Sequence, residues 1–224
     1  MFDGISSGRV FCSQRHFNGA PSATKVADTS RYRNDGVITA GATAPTWTRL
    51  PRGLWVLSFD GDNDRVVFPA SKSLNLGKTT DKYTMKAWIN TTVANGTIFY
   101  KTINPQPMRM DIASGTVKLY LYDGTNFPTA VGRSVANGAW HCIVGVVDRV
   151  AKLLIIYIDG VFSVQTVDTT AGNLQNPTSL YLGLKDDLTL DYSGLIGLPD
   201  VYSYRWDAAK AYSVFQKERP LFGV

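Results

Sequence analysis

The sequence predicts an all-β protein, a sandwich or jelly roll of two antiparallel sheets with one short C-terminal helix. Many segments alternate apolar and polar residues with the period of a β-strand. Turn-forming pairs, such as Asn95-Gly96, Asp123-Gly124 and Asp159-Gly160, separate these segments at short intervals. A helical pattern occurs only near the end of the chain. Short strands joined by such turns are typical of sandwiches and jelly rolls.

The predicted strands are rich in β-branched and aromatic residues, which favour extended structure. Residues 1–25 contain Gly4, Gly8, Gly19 and Pro21 and predict one strand followed by a loop. The clearest strands lie at residues 83–90, 97–100, 108–112, 116–122, 141–147 and 152–158.

Residues 83–90 show how a predicted strand divides into two faces. Alternation sends Tyr83, Met85, Ala87 and Ile89 to one face and Thr84, Lys86, Trp88 and Asn90 to the other. The first face is apolar enough to enter a core. We expect the second face to be solvated or functional.

The one predicted helix lies close to the C-terminus. Asp207 can cap it by accepting a backbone N–H bond, and the helical segment runs from Ala208 to Lys217. Pro220 has no backbone N–H, so we expect the helix to end before it.

Composition and charge narrow the functional classes. The 224 residues are 44% hydrophobic and contain no linker-like block, so we expect one domain over residues 1–224. The net charge is +5, but the basic residues are scattered, which argues against a nucleic-acid partner. We expect neither an export signal nor membrane insertion, because no apolar run is long enough. Cys12 and Cys142 are too few for a disulfide framework, and Cys142 is expected to be a buried free thiol.

One candidate binding surface lies on the outward-facing positions of three predicted strands. If residues 83–90, 108–112 and 116–122 are neighbours, one face displays Lys86, Trp88, Arg109, Asp111, Lys118, Tyr120 and Tyr122. Aromatic rings stack on the C–H faces of sugars, and charged side chains bond to hydroxyl groups. The set therefore predicts a glycan site in which Trp88, Tyr120 and Tyr122 stack and Arg109 and Asp111 form hydrogen bonds. The alternative is that the aromatic residues only support strand pairing, or lie beneath a loop.

A second candidate is a cation site. Asp60, Asp62 and Asp64 alternate in one turn, and Asp28 lies in another loop rich in oxygen ligands. Ca²⁺ prefers several carboxylate and carbonyl oxygens, so these four residues predict a structural calcium ion. The complete calcium-loop pattern is absent, because no Gly follows Asp64. The alternative is that Asp60 and Asp62 cap turns by accepting backbone N–H bonds, with Asp64 paired to Arg65 or another nearby base.

An ordered set of motifs runs from about residue 26 to residue 218. It consists of Asp28-Thr29-Ser30, Asn34-Asp35-Gly36, Leu57-Ser58-Phe59-Asp60-Gly61 with Asp64, Tyr83-Thr84-Met85-Lys86-Ala87-Trp88-Ile89, Trp140-His141, Tyr157-Ile158-Asp159-Gly160 and residues 194–204. In this order the motifs resemble laminin-G-like jelly-roll domains of the concanavalin A-like lectin and glucanase superfamily. The resemblance implies a concanavalin A-like jelly roll with a recognition role. It also implies a structural calcium ion, because many members of the family hold one.

The residues argue against catalysis. The only glutamate is Glu218, beyond the predicted helix, so the strand-borne glutamate pair typical of the superfamily's glucanases cannot form. His141 and Cys142 are adjacent in one predicted strand and point to opposite faces, which argues against a Cys–His pair. We therefore predict that the protein is not an enzyme.

Three functions remain open from the sequence. We favour a non-catalytic carbohydrate-binding or adhesion module on a virion or cell surface, with a glycan or cell-surface receptor as its partner. The alternative is a structural protein of a viral particle or other assembly, whose partners are other proteins of that assembly. A glycoside hydrolase that uses aspartates alone is third. The sequence gives no localisation, although a virion-associated or extracellular place would suit the first two functions.

Overall fold

The computed structural model describes residues 8–17, 19–38, 44–101, 104–184 and 190–224. Its elements are β1 (Arg9–Cys12), β2 (Lys25–Val26), β3 (Gly36–Ile38), β4 (Thr46–Arg49), β5 (Trp55–Asp60), β6 (Val66–Phe68), β7 (Lys82–Asn90), β8 (Gly96–Lys101), β9 (Gln106–Ala113), β10 (Thr116–Tyr122), β11 (Thr129–Ser134), β12 (Trp140–Asp148), β13 (Leu153–Ile158), β14 (Val161–Val167), β15 (Leu180–Leu182), β16 (Ser193–Tyr202) and α1 (Ala208–Phe222).

These strands form two antiparallel sheets of eight strands each. The first sheet has the order β14-β13-β12-β7-β16-β5-β4, with β1 paired to β16. The second has the order β11-β10-β9-β8-β15-β6-β3-β2. The prediction of an all-β jelly roll with two antiparallel sheets and one C-terminal helix is confirmed.

The main core fills the space between the two sheets. Met85 and Ile89 of β7 belong to the same buried cluster as Met110 of β9 and Leu119 of β10. These are the apolar positions of the alternating pattern, so the prediction of the inward faces is confirmed. Cys12 and Cys142 are both buried free thiols, as expected for Cys142.

A second core lies on the opposite face of the first sheet, beneath α1. Trp88, Val144 and Ile155 contribute to it from the strands, and Phe222 contributes from the helix. Because β12 is buried on both faces, its sequence is an almost continuous apolar run rather than a strict alternation. The outer face of β7 is therefore covered, which the sequence did not reveal.

Helix α1 begins where predicted and ends later. The Asp207 carboxylate accepts the Lys210 N–H at 2.8 Å and caps the first turn. The helix ends at Gly223, which has a φ of 78° and donates its N–H to the Arg219 carbonyl. The prediction that Pro220 ends the helix is wrong. A proline in the last turn removes only one helical hydrogen bond, and the packing of Phe222 in the second core keeps that turn in place.

Within the described ranges, no helix has both the length and the apolar character needed to cross a membrane.

Candidate functional site

The predicted binding surface is divided between the two sheets. Lys86 and Trp88 lie on β7 of the first sheet, whereas Arg109, Asp111 and Tyr120 lie on β9 and β10 of the second. Lys86 and Trp88 are both 0% exposed. The prediction that Trp88 stacks on a glycan is therefore wrong, because the C-terminal helix already occupies its face.

Trp88 contacts the helix through both its ring and its N–H group. Its ring stacks on Phe222 with centroids 4.2 Å apart and lies 5.7 Å from Phe215. Its Nε1 donates to Glu218 Oε2 at 2.8 Å. Glu218 thus lies inside α1, not beyond it as the sequence suggested.

Lys86 takes part in a buried ion network below the same helix. Its Nζ lies 2.8 Å from Asp200 Oδ2 and 3.0 Å from Glu218 Oε2. Burial alone would lower the pKa of Lys86, but the attraction of the two carboxylates is stronger and raises it. Lys86 and Trp88 therefore hold the helix on the sheet rather than forming a binding surface.

The second half of the predicted surface does come together. β9 and β10 are antiparallel neighbours, so Arg109 lies opposite Tyr120, and Asp111 lies opposite Lys118. Ser114 and Gly115 join the strands with φ values of 52° and 76°, as a two-residue hairpin turn requires. The inward side chains enter the main core, so these four side chains share the outer face.

Arg109 is fixed between an acid and an aromatic ring. Its Nε donates to Asp111 Oδ2 at 2.7 Å, and its Nη2 lies 2.6 Å from the same oxygen. Its guanidinium carbon is 4.7 Å from the centroid of the Tyr120 ring, within the range of a cation–π contact. Only 13% of the Arg109 side chain is exposed. The charge is thus held in one orientation, partly shielded from water.

Phe127 is the most exposed ring of this group. It stacks on Tyr120 at 5.1 Å and meets Tyr122 edge-on at 5.7 Å. Phe127 is 46% exposed, whereas Tyr120 is 8% exposed, so a ligand would meet Phe127 and the half-buried Tyr122 first. Burial, with a smaller effect of Asp111, raises the pKa of Tyr120 to about 12 against the opposing effect of Arg109.

The arrangement continues onto the next strands of the second sheet. Tyr100 of β8 lies opposite Arg109, and Tyr181 of β15 lies opposite Tyr100, with rings 6.4 Å apart. We define the aromatic face as Tyr100, Arg109, Asp111, Tyr120, Tyr122 and Phe127, of which Tyr100 is 0% exposed. The accessible part of this face is the ring of Phe127, with the half-buried Tyr122 and Arg109 beside it, a combination that suits a polar ring-shaped ligand. Asp111 is 1% exposed, so its carboxylate fixes Arg109, and the prediction that Asp111 forms hydrogen bonds to a glycan is wrong.

Sequence reasoning did not single out Phe127 or Tyr100. Phe127 follows the polar turn Asp123-Gly124-Thr125-Asn126, and an aromatic residue in such a turn is a detectable signal. Tyr100 lies in a predicted strand beside Phe99, and only the pairing of β8 with β9 gives it a place on this face.

Among the residues predicted to bind calcium, Asp28 has another role. Its Oδ1 accepts the Cys12 and Ser30 N–H groups, and its Oδ2 accepts the Ser30 hydroxyl and the Asn34 N–H. A carboxylate has about four acceptor sites, and donors from its own surroundings fill them. Asp28 is 1% exposed and organises its loop instead of offering oxygens to a metal ion.

Asp60, Asp62 and Asp64 lie together in the turn after β5. Asp60 Oδ1 accepts the Asp62 N–H at 2.8 Å, and Asp64 Oδ2 accepts the Asp60 N–H at 2.9 Å. Asp60 thus caps the turn as in the alternative to a metal site, whereas Asp64 accepts a backbone N–H and Asp62 Oδ1 accepts the Asn63 side-chain amide. Burial raises the pKa of Asp64, and the negative charges of Asp60 and Asp62 add to that effect, although the Asp60 N–H opposes it. Asp64 Oδ1 and Asp191 Oδ1 are buried without a hydrogen-bond partner.

In the part of the chain that the structure describes, no three His, Cys, Asp or Glu side chains form a group that could hold a metal ion. Calcium binding at Asp60, Asp62 and Asp64 stays a prediction.

The titratable residues considered for catalysis have structural partners. His141 Nδ1 lies 2.9 Å from Asp159 Oδ2, and its Nε2 lies 3.0 Å from Asn137 Oδ1. The Cys142 side chain belongs to the second core beneath α1, away from that network. Glu218 accepts hydrogen bonds from Lys86 and Trp88 and is 2% exposed. None of these three groups is placed to act on a substrate at the aromatic face.

Solved structures with the same fold include binding domains of clostridial toxins. The binding domain of Paraclostridial Mosquitocidal Protein 1 superposes with a TM-score of 0.76 at 12% identity, covering 96% of this chain and 53% of that one. A botulinum neurotoxin D ligand-binding domain in complex with N-acetylneuraminic acid has a TM-score of 0.71 at 11% identity, covering 94% and 51%. A botulinum neurotoxin DC binding domain in complex with rat synaptotagmin II has a TM-score of 0.71 at 14% identity, covering 96% and 52%. This chain therefore spans about half the length of each.

The sequence itself also matches a known family. Comparison with curated protein sequences finds no match. A laminin G family model, described as the concanavalin A-like lectin/glucanases superfamily, matches residues 60–210, which is more than half of the chain. This chain therefore belongs to the laminin-G-like family of the concanavalin A-like lectin/glucanases superfamily.

Proposed function

We propose that the protein is a non-catalytic recognition module that binds a carbohydrate through the aromatic face. The observation that carries the proposal is the exposed ring of Phe127, stacked on Tyr120 and placed beside the ion pair of Arg109 and Asp111. Stacking on the Phe127 ring and hydrogen bonds to the partly exposed Arg109 guanidinium are the two kinds of interaction that would hold a sugar.

The similar toxin domains support a recognition role in general terms. They are described as binding domains, one with a sialic acid and another with a receptor protein bound. A receptor protein is therefore the closest alternative ligand for this chain. A glycosidase needs two carboxylates across the sugar bond. The aromatic face offers Asp111, whose carboxylate is paired with Arg109, and the only glutamate is buried beneath α1.

A glycan array tests the proposal. The wild-type protein should give a selective signal, and Phe127→Ala should weaken it by about fivefold, because an aromatic contact of this kind contributes about 1 kcal/mol. Tyr212→Ala is the matched control, since Tyr212 is a 54% exposed aromatic residue on α1, beyond the first sheet. It should leave the signal unchanged.

A blank array with folded wild-type protein would contradict carbohydrate binding. Capture of a receptor protein that is sensitive to Phe127→Ala would then favour the protein ligand. Binding to neither class would favour the assembly role. A signal lost equally in the Tyr212→Ala variant would show that the aromatic face is not the binding surface.

A further inference from the structure

A second open site lies at one end of the first sheet, apart from the aromatic face of the second sheet. It is a cleft of about 300 Å³ between the segment that leads into β7 and the residues that follow β16. Its lining residues are Leu76, Thr80, Asp81, Lys82, Ser203, Tyr204 and Arg205. A cleft of this volume is at the lower end of the range for small-molecule sites and suits a single sugar ring.

Two cations of this cleft share one buried carboxylate oxygen. Arg205 Nη1 lies 3.0 Å from Asp148 Oδ2, and Lys82 Nζ lies 3.6 Å from the same atom. The Asp148 side chain is 0% exposed, whereas those of Lys82 and Arg205 are 44% and 36% exposed. Asp148 Oδ1 accepts the N–H groups of Val150 and Ala151. The carboxylate thus lies behind the two cations, and both cations face the cleft.

The lining of the cleft carries more basic than acidic side chains. Asp81 is the one acidic residue in the lining, and its Oδ2 accepts the Gly77 and Lys78 N–H groups at 2.8 and 2.9 Å. Lys78 lies in the same segment and is exposed. Two basic side chains, Lys82 and Arg205, and one acidic side chain, Asp81, therefore line the cleft.

Tyr204 provides a firmly held wall for the cleft. A Cβ atom added at Gly8 would clash with Tyr204 Cδ1, which shows how closely the ring packs on the backbone there. We propose that the cleft binds a monosaccharide-sized ligand that carries an oxyanion. Its carboxylate or sulfate group interacts with Lys82 and Arg205, and its ring lies against Tyr204.

The experiment titrates the full chain with three probes and measures binding by backbone amide chemical shifts and by calorimetry. Sodium glucuronate carries both the ring and the oxyanion, glucose carries the ring alone, and inorganic sulfate carries the charge alone. Glucuronate should bind more tightly than either of the others, move the amide signals of residues 203–205, and weaken as salt is added.

Two variants with opposite expected effects make the test specific. Lys82→Gln should weaken glucuronate binding by about fivefold, because the ligand loses one ion pair with a partly exposed cation. Lys82 is the more distant partner of Asp148, so this change should leave the fold intact. Asp81→Asn should tighten binding about twofold or more, because the amide oxygen can still accept the two N–H bonds while the negative charge is gone. Lys25→Gln is the matched control, since Lys25 is an exposed lysine paired with Asp35 on the second sheet.

Equal binding of sulfate and glucuronate would overturn the proposal of a saccharide-sized ligand. Binding that Lys82→Gln and Lys25→Gln weaken equally would overturn the site. No binding of any probe to the folded wild-type protein would overturn both. These results are independent of the glycan array, because Phe127→Ala should not alter this cleft.

Discussion

Glu218 connects three distant parts of the chain beneath the C-terminal helix. Its carboxylate accepts hydrogen bonds from Arg15 Nη2 at 2.5 Å, Lys86 Nζ at 3.0 Å and Trp88 Nε1 at 2.8 Å. Lys86 is 0% exposed, so its charge depends on the two carboxylates beside it. Losing one partner of a buried ion group costs more than the group contributes as a whole, because the remaining charge stays buried.

We therefore expect Glu218→Gln to lower the free energy of unfolding by about 3 kcal/mol. Urea denaturation at pH 7 measures it. Asp35→Asn, which removes an exposed partner of Lys25, should cost less than about 1 kcal/mol. Similar losses in both variants would show that the buried network has no special role in stability.

Asp159 makes part of the stability depend on pH. Burial alone would raise the pKa of Asp159, but hydrogen bonds from His141, the Cys142 N–H and Arg133 lower it. A carboxyl group whose pKa is lower in the folded state stabilises the fold above its unfolded pKa of about 3.9. That contribution is lost as the pH falls through the folded pKa.

Asp159→Asn should therefore destabilise the protein by about 1.5–3 kcal/mol at pH 7, since hydrogen bonds to a charged group are lost. The difference from wild type should shrink as the pH falls below about 4. Denaturation curves at pH 7, 5 and 3.5 give the comparison. A constant difference across this range would contradict the assigned role of the carboxylate charge.

At the scale of the element, alternation identifies a strand and its inward face but not what covers the other face. Tyr83, Met85 and Ile89 were correctly placed in the core from their spacing alone. The same spacing predicts that Trp88 is solvated or functional. Its burial depends on α1, which lies more than a hundred residues later in the chain. The pairing of β9 with β10 could be predicted from the sequence, because a two-residue turn joins the two strands. Which sheet β7 joins depends on distant partners and could not be predicted from local pattern.

The same limit applies to the candidate site. Arg109, Asp111 and Tyr120 come from one hairpin, so local sequence places them together. Tyr100 reaches the aromatic face through the pairing of β8 with β9, and Phe127 reaches it by folding back over Tyr120. Both steps depend on tertiary packing rather than on the period of the strands.

Helix α1 should be stable only as part of the second core. Phe222 is 7% exposed, stacks on Trp88 at 4.2 Å and lies 4.7 Å from the Trp140 ring. Phe222→Ala should lower the free energy of unfolding by about 3–5 kcal/mol through lost burial and the cavity that remains. The near-ultraviolet circular dichroism of the tryptophans should change with it. Tyr212→Ala on the exposed side of the helix should have little effect, and equal losses would contradict the packing argument.

At the scale of the whole molecule, the two sheets have different surroundings. The first sheet is covered by the main core on one face and by α1 on the other. The second sheet has no helix on its outer face in the described ranges, and its aromatic side chains lie there. In the described ranges, the single helix thus stabilises one layer and leaves the outer face of the other layer without a helix.

The calcium prediction concerns the stability of the whole molecule. Four aspartates were predicted to bind calcium, and the carboxylate of one of them, Asp28, already accepts hydrogen bonds from its own loop. Asp64 still has a buried oxygen without a partner, as does the neighbouring Asp191, and a hard cation would satisfy both. A ligand that binds only the folded state stabilises it by about 2.7 kcal/mol at a hundred times its Kd.

Calcium should therefore raise the melting temperature of metal-free protein, and a chelator should reverse the change. Asp64→Asn should abolish this response. Asp28→Asn should lower the melting temperature through its lost hydrogen bonds while keeping the response to calcium, because its oxygens are already filled by N–H and hydroxyl donors. If both variants lose the response, Asp28 is a ligand after all and its loop rearranges when the metal binds. If wild type melts at the same temperature with calcium and with chelator, the three aspartates serve only to shape the turn after β5.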